Sequence, residues 1–222
     1  MTADVSTPED LVAAARSGEP VQDPQLDQVD LRGADLAGLV LRGGSLAGAD
    51  LRGARLDRVR VAGTSLSGAD LREADLTDAV LTGADLSGAR FAGAILGDTR
   101  FDACRMIGVS LRGMRGLTAS FVLTGCNLQV ADLAEVNLRG LRIAECDLSE
   151  ADLSGTDLRA VTFERCRLRG TVLRAARLEQ ADLRTSDLGE ITPDTPRELR
   201  GAIVSPAQAA AVCAALGLTV LD

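Results

Sequence analysis

Residues 68–90 read "GADLREADLTDAVLTGADLSGAR", and Leu71, Leu76, Leu81 and Leu86 follow one another at intervals of five residues. Apolar residues spaced three and four apart would indicate an α-helix, and a spacing of two would indicate a flat strand. A period of five, with small residues two positions before each leucine, fits neither. It predicts a short extended segment followed by a corner.

The same pattern fills most of the chain. One phase runs from Leu26 to Leu111 in 18 units, and a second runs from Leu123 to Leu188 in 14 more. The central residue is Leu in 26 of these 32 units, and the residue two positions before it is never charged. The other six central residues are also apolar: Val61, Phe91, Phe101, Met106, Ile143 and Phe163. Two positions in five therefore face a core and three face solvent.

Glycine marks the corners of this repeat. Of the 23 glycines, 16 lie two residues after a central residue, where a tight turn requires a positive φ. Four such sides close a coil of twenty residues, and stacked coils pair their backbones about 4.8 Å apart. The sequence predicts an all-β fold, a quadrilateral β-solenoid of about eight coils over residues 26–190. Its length would be about 40 Å.

The cysteines test the coil length. Cys126, Cys146 and Cys166 are spaced 20 residues apart, and Cys104 lies 22 residues before Cys126. All four stack in one column if residues 112–120 form a corner enlarged by two residues. A column with a spacing of about 4.8 Å suits neither a tetrahedral metal site nor an undistorted disulfide. We expect small buried side chains here, with no metal and no cofactor, and we expect Cys213 to be buried as well.

Both ends of the repeat need caps, because a solenoid end exposes strand edges and apolar side chains. Residues 1–25 form an acidic leader with a predicted helix over 8–17, capped by Thr7 and Asp10. Residues 191–222 contain a second predicted helix, about 206–216, capped by Ser205 and Gln208, and then "LTVLD", which resembles a terminal strand. This helix is apolar nearly all round, so it should be buried on the last coil or against a second chain. The candidate dimer-interface residues are Ala207, Ala210, Ala211, Val212, Ala214, Ala215, Leu216, Leu218 and Val220.

Composition excludes most catalytic chemistry. The chain has no His, Lys, Trp or Tyr, and its net charge is −8. Without His it lacks the commonest general base and metal ligand, and a filled tube offers no cleft. We therefore predict that the protein is not an enzyme and has no catalytic residues. The leader lacks a long apolar run, and five cysteines without an export signal indicate reduced thiols in the cytoplasm, with no membrane contact.

The tandem A(D/N)Lxx units over residues 24–190 resemble the pentapeptide repeat family, whose fold is a right-handed square β-helix. The tail "LRGAIVSPAQAAAVCAALGLTVL" (199–221) is similar to the C-terminal segment of the family's MfpA, Qnr and AlbG branch. This resemblance implies a homodimer formed through the tail. It also implies a rod that imitates duplex DNA, binds DNA gyrase or topoisomerase IV and protects it from quinolone-like drugs or toxins, without binding nucleic acid itself.

The charges leave two interpretations open. Asp30, Asp50 and Asp70 alternate with Arg32, Arg52 and Arg72, and residues 26–190 hold 24 acids against 21 arginines, which fits a self-compensating ladder on a structural or adaptor rod. Other acids have fewer arginines beside them and could contact a partner. These candidates are Asp35, Asp57, Asp75, Asp78, Asp98, Asp132, Glu135, Asp147, Glu150 and Asp152.

Overall fold

The structure is a computed structural model in which residues 5–115 and 120–220 are described. Within these residues the chain forms three helices: α1 (Pro8–Ser17), α2 (Thr195–Glu198) and α3 (Pro206–Ala215). It also forms eight short strands: β1 (Val21–Gln22), β2 (Val40–Arg42), β3 (Arg60–Ala62), β4 (Val80–Thr82), β5 (Arg100–Asp102), β6 (Val122–Thr124), β7 (Arg142–Ala144) and β8 (Thr162–Glu164).

The strands form one parallel sheet in sequential order, which we call wall 1. Leu41 pairs with Val61, at the twentieth position after it, whereas Phe101 pairs with Leu123, at the twenty-second. The register confirms both the twenty-residue coil and the two extra residues between β5 and β6. Residues 116–119 of the predicted enlarged corner lie outside the described residues. The eight strands of wall 1 span about seven turns of the solenoid.

Three further walls consist of isolated parallel bridges between successive coils. In each of these walls the bridged residues form a column along the rod. The column of wall 2 runs from Gln25 to Asp187, that of wall 3 from Asp30 to Val172, and that of wall 4 from Asp35 to Arg177. The chain passes through walls 1, 2, 3 and 4 in turn within each coil. The predicted quadrilateral β-solenoid is therefore confirmed. It begins earlier than the sequence indicated, because β1 lies within the segment assigned to the leader.

Aliphatic side chains fill the lumen. Leu71, Leu76 and Leu81 are each 1% exposed, and burying one leucine contributes about 2 kcal/mol. Beside the enlarged corner, Phe101 packs edge-to-face against Phe91 and Phe121 with ring centroids 6.3 and 6.4 Å apart. Stability therefore comes from side-chain stacks that pass from each coil to the next.

The corners keep one backbone conformation whatever residue occupies them. All 16 corner glycines have positive φ, as predicted. Among the described residues, 15 non-glycine residues also have positive φ, and each lies two residues after a central position of the same five-residue phase. They are Asp23, Gln28, Arg58, Glu73, Asp78, Asp98, Ala103, Val130, Glu135, Glu145, Glu150, Ala160, Arg165, Ala175 and Gln180. The coil imposes the left-handed turn, and glycine only makes it less costly.

The two ends of the tube differ. Helix α1 has the predicted capping box, and its Leu11 is 0% exposed over the first coil. Helix α3 also has its predicted capping box, yet none of its residues is buried. The short helix α2 was not predicted. Residues 218–220 form no regular secondary structure, contrary to the predicted strand, and residues 221–222 of that strand lie outside the described residues.

Candidate protein-interaction surface

On the first half of wall 3, aspartate and arginine neutralise each other. Arg52 donates to Asp50 through Nε at 2.8 Å and Nη2 at 2.5 Å. Asp70 accepts from Arg72 at 2.6 Å and from Arg90 of the next coil at 2.9 Å. These bonds run both within and between coils. This stretch is the self-compensating ladder that the sequence suggested.

The hydrogen bonds also hold these carboxylates ionised. The bond from Arg32 lowers the pKa of Asp30 to about 2. The bonds from Arg52 and Arg72 likewise lower the pKa values of Asp50 and Asp70. The column is charged but locally neutral, so it offers little net field to a partner.

The first five acidic candidates lie on wall 4: Asp35, Asp57, Asp75, Asp78 and Asp98. Arg55 pairs with Asp35 at 3.0 Å and with Asp57 at 3.3 Å, so the first two are compensated. Asp75 instead accepts hydrogen bonds from the amide and hydroxyl of Thr77. For Asp75, Asp78 and Asp98, the described part of the chain places no arginine nitrogen within 4 Å. Wall 4 is therefore acidic only near its middle.

Four of the other five candidates lie around the edge between walls 2 and 3, and Glu135 lies at the corner between walls 3 and 4. Asp132 and Asp152 are on wall 3, and Asp147 and Glu150 are on wall 2. Glu135 pairs with Arg112 at 2.6 Å, and Asp147 lies 3.4 Å from Arg167.

Three of these acids have no arginine partner. Within the described ranges, Asp132, Glu150 and Asp152 have no arginine nitrogen within 4 Å. Asp132 accepts instead from the hydroxyl of Ser110 at 3.2 Å. Bonds from Ser154 lower the pKa of Asp152, and the more distant charges of Arg174 and Arg112 lower it further. We call Asp132, Asp147, Glu150 and Asp152 the acidic corner. It is the largest group of weakly compensated carboxylates on the second half of the rod.

An apolar residue that the sequence analysis missed lies inside the acidic corner. Val130 is 50% exposed, precedes Asp132 by two residues and occupies the same corner position as Glu150 of the next coil. Its φ is +52°, and it is the one β-branched residue with positive φ among the described residues. Such a backbone costs about 1–3 kcal/mol for this residue type. The signal in the sequence is a valine where a glycine is usual.

The C-terminal end presents an apolar surface. Leu216, Leu218 and Val220 are 50%, 59% and 55% exposed. Seven predicted interface residues lie on α3 or its last turn, and none of the nine is buried. Cys213 is partly exposed rather than buried as expected. The chain therefore leaves one side of this apolar helix exposed.

The stacked cysteines are confirmed as small buried residues. Cys104, Cys126, Cys146 and Cys166 are all buried, and the amide of Cys126 donates to Sγ of Cys146 at 3.4 Å. A hydrogen bond with Cys126, together with burial, raises the pKa of Cys104, and burial raises the pKa of Cys166. These thiols are therefore poor nucleophiles. No group of three or more acidic or cysteine side chains in the described ranges could hold a metal ion.

The interior is almost completely filled. A void of about 30 Å³ lies among leucines and valines of the first coils. The expectation of a tube without pockets needs correction at two places. Ile95 and Met114 help to line a recess of about 230 Å³, and Leu173 and Leu199 help to line one of about 180 Å³ at the C-terminal end. No described helix has the length and apolar character needed to span a bilayer.

This geometry defines a class of protein: a four-walled β-solenoid with a filled interior. Its charged side chains lie on the outer surface, and exposed apolar side chains cluster at the C-terminal end. The family model for pentapeptide repeats matches residues 25–61, 54–93, 84–115, 122–159 and 151–189. The chain therefore belongs to the pentapeptide repeat family. A search of curated protein sequences found no match.

Solved structures similar to this chain include two forms of QnrB1, a plasmid-mediated fluoroquinolone resistance protein. The full-length form is 22% identical, with 98% of this chain and 94% of that chain covered and a TM-score of 0.42. A trypsin-treated form is 24% identical, with 92% of each chain covered and a TM-score of 0.46. HetL from Nostoc sp. strain PCC 7120, a pentapeptide repeat protein involved in heterocyst differentiation regulation, is 25% identical, with 91% and 95% covered and a TM-score of 0.33. A shared fold does not by itself select a function.

Proposed function

We propose that this protein is a cytoplasmic, non-enzymatic DNA mimic that acts as a homodimer. It binds a type II topoisomerase, DNA gyrase or topoisomerase IV, on the surface that otherwise holds duplex DNA. Bound there, it protects the enzyme from quinolone-like drugs or toxins. The observation that carries the proposal is the acidic corner, where the carboxylates of Asp132, Glu150 and Asp152 form no ion pair with an arginine of the described residues.

The spacing of these carboxylates suits a surface that binds phosphates. Asp132 and Asp152 bridge directly between successive coils, so their backbones are about 4.8 Å apart. Topoisomerase surfaces that track a duplex are built for closely spaced negative charges. The arginine-paired stretches of walls 3 and 4 would contribute much less, because their fields cancel locally.

Val130 gives the acidic corner an apolar anchor. Binding energy at protein interfaces is concentrated in a few central contacts surrounded by polar groups. An exposed apolar side chain among four carboxylates has that arrangement, and its strained backbone has no stabilising role in the coil. We therefore include Val130 in the proposed contact surface.

The open C-terminal end supports the dimer. Helix α3 exposes Ala207, Ala211 and Ala214 on one side, and these small residues permit close helix–helix approach. Two rods of about 40 Å joined there would form a particle of about 80 Å. The similarity of the tail to the MfpA, Qnr and AlbG branch supports the same assembly.

A supercoiling assay with purified gyrase tests the proposal. We expect the protein to inhibit supercoiling, to compete with DNA for the enzyme and to lose affinity as salt rises. The triple variant Asp132→Asn, Glu150→Gln, Asp152→Asn should weaken inhibition by at least tenfold. The control Asp75→Asn, Asp78→Asn, Asp98→Asn removes the same charge from wall 4 and should weaken the inhibition of supercoiling far less.

The two triple variants and the unaltered protein together separate two ways in which the proposal could fail. If the wall 4 variant alone loses activity, mimicry is right and the acidic corner is the wrong surface. If the unaltered protein neither inhibits gyrase nor protects it at micromolar concentration, the DNA-mimic proposal is wrong.

A structural or adaptor rod is the second candidate. It is favoured by the ion-paired column of wall 3 and by Arg60 and Arg100 on wall 1, which form no ion pair with any described carboxylate. Such a rod would ignore gyrase and bind another protein. Retention of a specific partner on the immobilised protein, together with a negative gyrase assay, would support it.

A further inference from the structure

Gln208 makes contacts that its place in the α3 capping box does not require. Its Oε1 accepts a hydrogen bond from the amide of Ser205 at 2.7 Å, which is the expected capping contact. Its Nε2 donates to the carbonyl oxygens of Leu183 at 2.9 Å and Ser186 at 2.8 Å. One side chain therefore caps the helix and holds the last coil of the solenoid.

The chain leading into α3 is anchored at Ile203, which pairs with Ala181 and Leu183 of the last coil, but few contacts hold the helix itself. Within the part of the chain that the structure describes, the two bonds from Gln208 Nε2 are the only hydrogen bonds between α3 and the solenoid. The helix buries no residue, whereas α1 buries Leu11 and Ala14 at the other end. Apolar packing therefore fixes α1, and α3 lacks an equivalent contact.

The acceptors of Gln208 belong to buried residues of the last coil. Leu183 is 1% exposed and Ser186 is 7% exposed. The hydroxyl of Ser186 donates to the carbonyl of Phe163 at 2.9 Å and accepts from the amide of Cys166 at 3.1 Å. Gln208 thus joins α3 to a part of the coil that is itself bonded to the preceding coil.

We propose that Gln208 is a positioning residue that fixes the orientation of α3 on the end of the rod. It thereby presents the side of α3 that bears Ala207, Ala211 and Ala214 to a second copy of the chain. The inference rests on the dimer in the proposed function, and it assigns the dimer's geometry to one side chain. Fixing the helix before association reduces the ordering cost of binding.

Gln208→Glu separates the two roles of the side chain. Glutamate keeps an acceptor for the Ser205 amide and is itself favoured at this capping position. It replaces the donor group by a carboxylate oxygen facing two carbonyl oxygens, so the bridge to the coil is lost. The control is Asp10→Asn, which changes the matching capping box of α1 at the other end of the rod.

Cys213 provides the readout. It is partly exposed, whereas the other four cysteines are buried, so a spin label attaches there selectively. Because successive residues of an α-helix are about 100° apart around its axis, Cys213 lies on a different side of α3 from Ala207 and Ala211. Distances between labels on two subunits then report the orientation of α3, and sedimentation equilibrium on unlabelled protein gives the dimer Kd.

We expect the unaltered protein and Asp10→Asn to give one narrow distance distribution. Gln208→Glu should broaden it and raise the dimer Kd by at least tenfold, while circular dichroism and the solenoid melting temperature change little. Gln208→Met retains the length of the side chain but lacks the amide group, and it should also broaden the distribution and raise the dimer Kd. A narrow, unchanged distribution and Kd for Gln208→Glu would overturn the inference. A monomeric unaltered protein would instead overturn the dimer proposal on which it rests.

Discussion

The hydroxyl of Thr99 donates a hydrogen bond to the carbonyl oxygen of Leu76, 23 residues earlier, at 2.7 Å. Thr156 makes the same contact with Leu133 at 2.8 Å. Thr64 occupies the equivalent inward position and is 0% exposed, but its hydroxyl has no hydrogen-bond partner in the described part of the chain. A buried hydroxyl is therefore satisfied at Thr99 and Thr156, where it reaches the preceding coil, and is left unsatisfied at Thr64.

Thr99→Val and Thr64→Val should have effects of opposite sign. The first removes a buried hydrogen bond and should cost about 1 kcal/mol. The second removes an unsatisfied hydroxyl and should stabilise the fold by about 1 kcal/mol. Thermal and urea unfolding of the two variants, side by side, measures the difference. Equal destabilisation by both would contradict the assignment at Thr64.

Val130→Gly should stabilise the protein by about 1 kcal/mol, because glycine adopts the left-handed corner without strain. Gly140→Val is the reciprocal change, since Gly140 has a φ of +72° and no atom lies within 4 Å of the place a Cβ would take. It should destabilise by about 1–3 kcal/mol. Melting temperatures test both signs. If Val130 is a contact residue, Val130→Gly should also weaken gyrase inhibition, so that stability rises while activity falls.

Acid should weaken the ladder on wall 3. The pKa of Asp70 is lowered in the folded protein by its hydrogen bond with Arg72, and that of Asp30 is lowered to about 2 by Arg32. A lowered carboxyl pKa contributes stability above the unfolded value of about 3.9 and loses it as pH falls through the folded value. We expect the melting temperature to fall between about pH 4 and pH 2.

Two substitutions locate this effect. The side chain of Asp70 is 9% exposed and meets Arg72 and Arg90, whereas that of Asp30 is 57% exposed. Asp70→Asn should cost roughly 1–3 kcal/mol at neutral pH, between the values for exposed and buried pairs. Asp30→Asn should change stability little. Identical losses in the two variants would show that burial does not set the strength of these pairs.

Ala211→Arg should dissociate the proposed dimer by placing a long cation on the small-residue side of α3. Ala209→Arg introduces the same side chain on the opposite side of the helix, and Ala209 is also exposed in the single chain. We expect a monomer from the first and an unchanged dimer from the second by sedimentation. The reverse pattern would place the interface on the other side of α3.

Much of the fold could be predicted because the five-residue period constrains nearly every position. The column Cys104–Cys126–Cys146–Cys166 is enough to set the coil length and to locate the enlarged corner from the sequence alone. Capping residues such as Thr7 and Ser205 likewise identify both longer helices. Local rules suffice where each coil repeats the contacts of the one before.

The remaining features depend on contacts that the repeat does not determine. The compensation of Asp57 by Arg55, and the absence of an ion pair at Glu150 among the described residues, follow from side-chain directions at the corners, which the spacing does not specify. The bridge from Gln208 to Leu183 joins segments 25 residues apart across the end of the repeat. The exposure of α3 could not be foreseen either, because an apolar sequence does not say whether its own chain covers it.

Competition between the protein and duplex DNA for gyrase tests the central claim most directly. With labelled DNA bound to gyrase, the account predicts that the unaltered dimer displaces the DNA saturably and less well at higher salt. The acidic-corner triple variant should need at least ten times more protein for the same displacement. Full retention of DNA at micromolar dimer, or equal displacement by the triple variant, would contradict it.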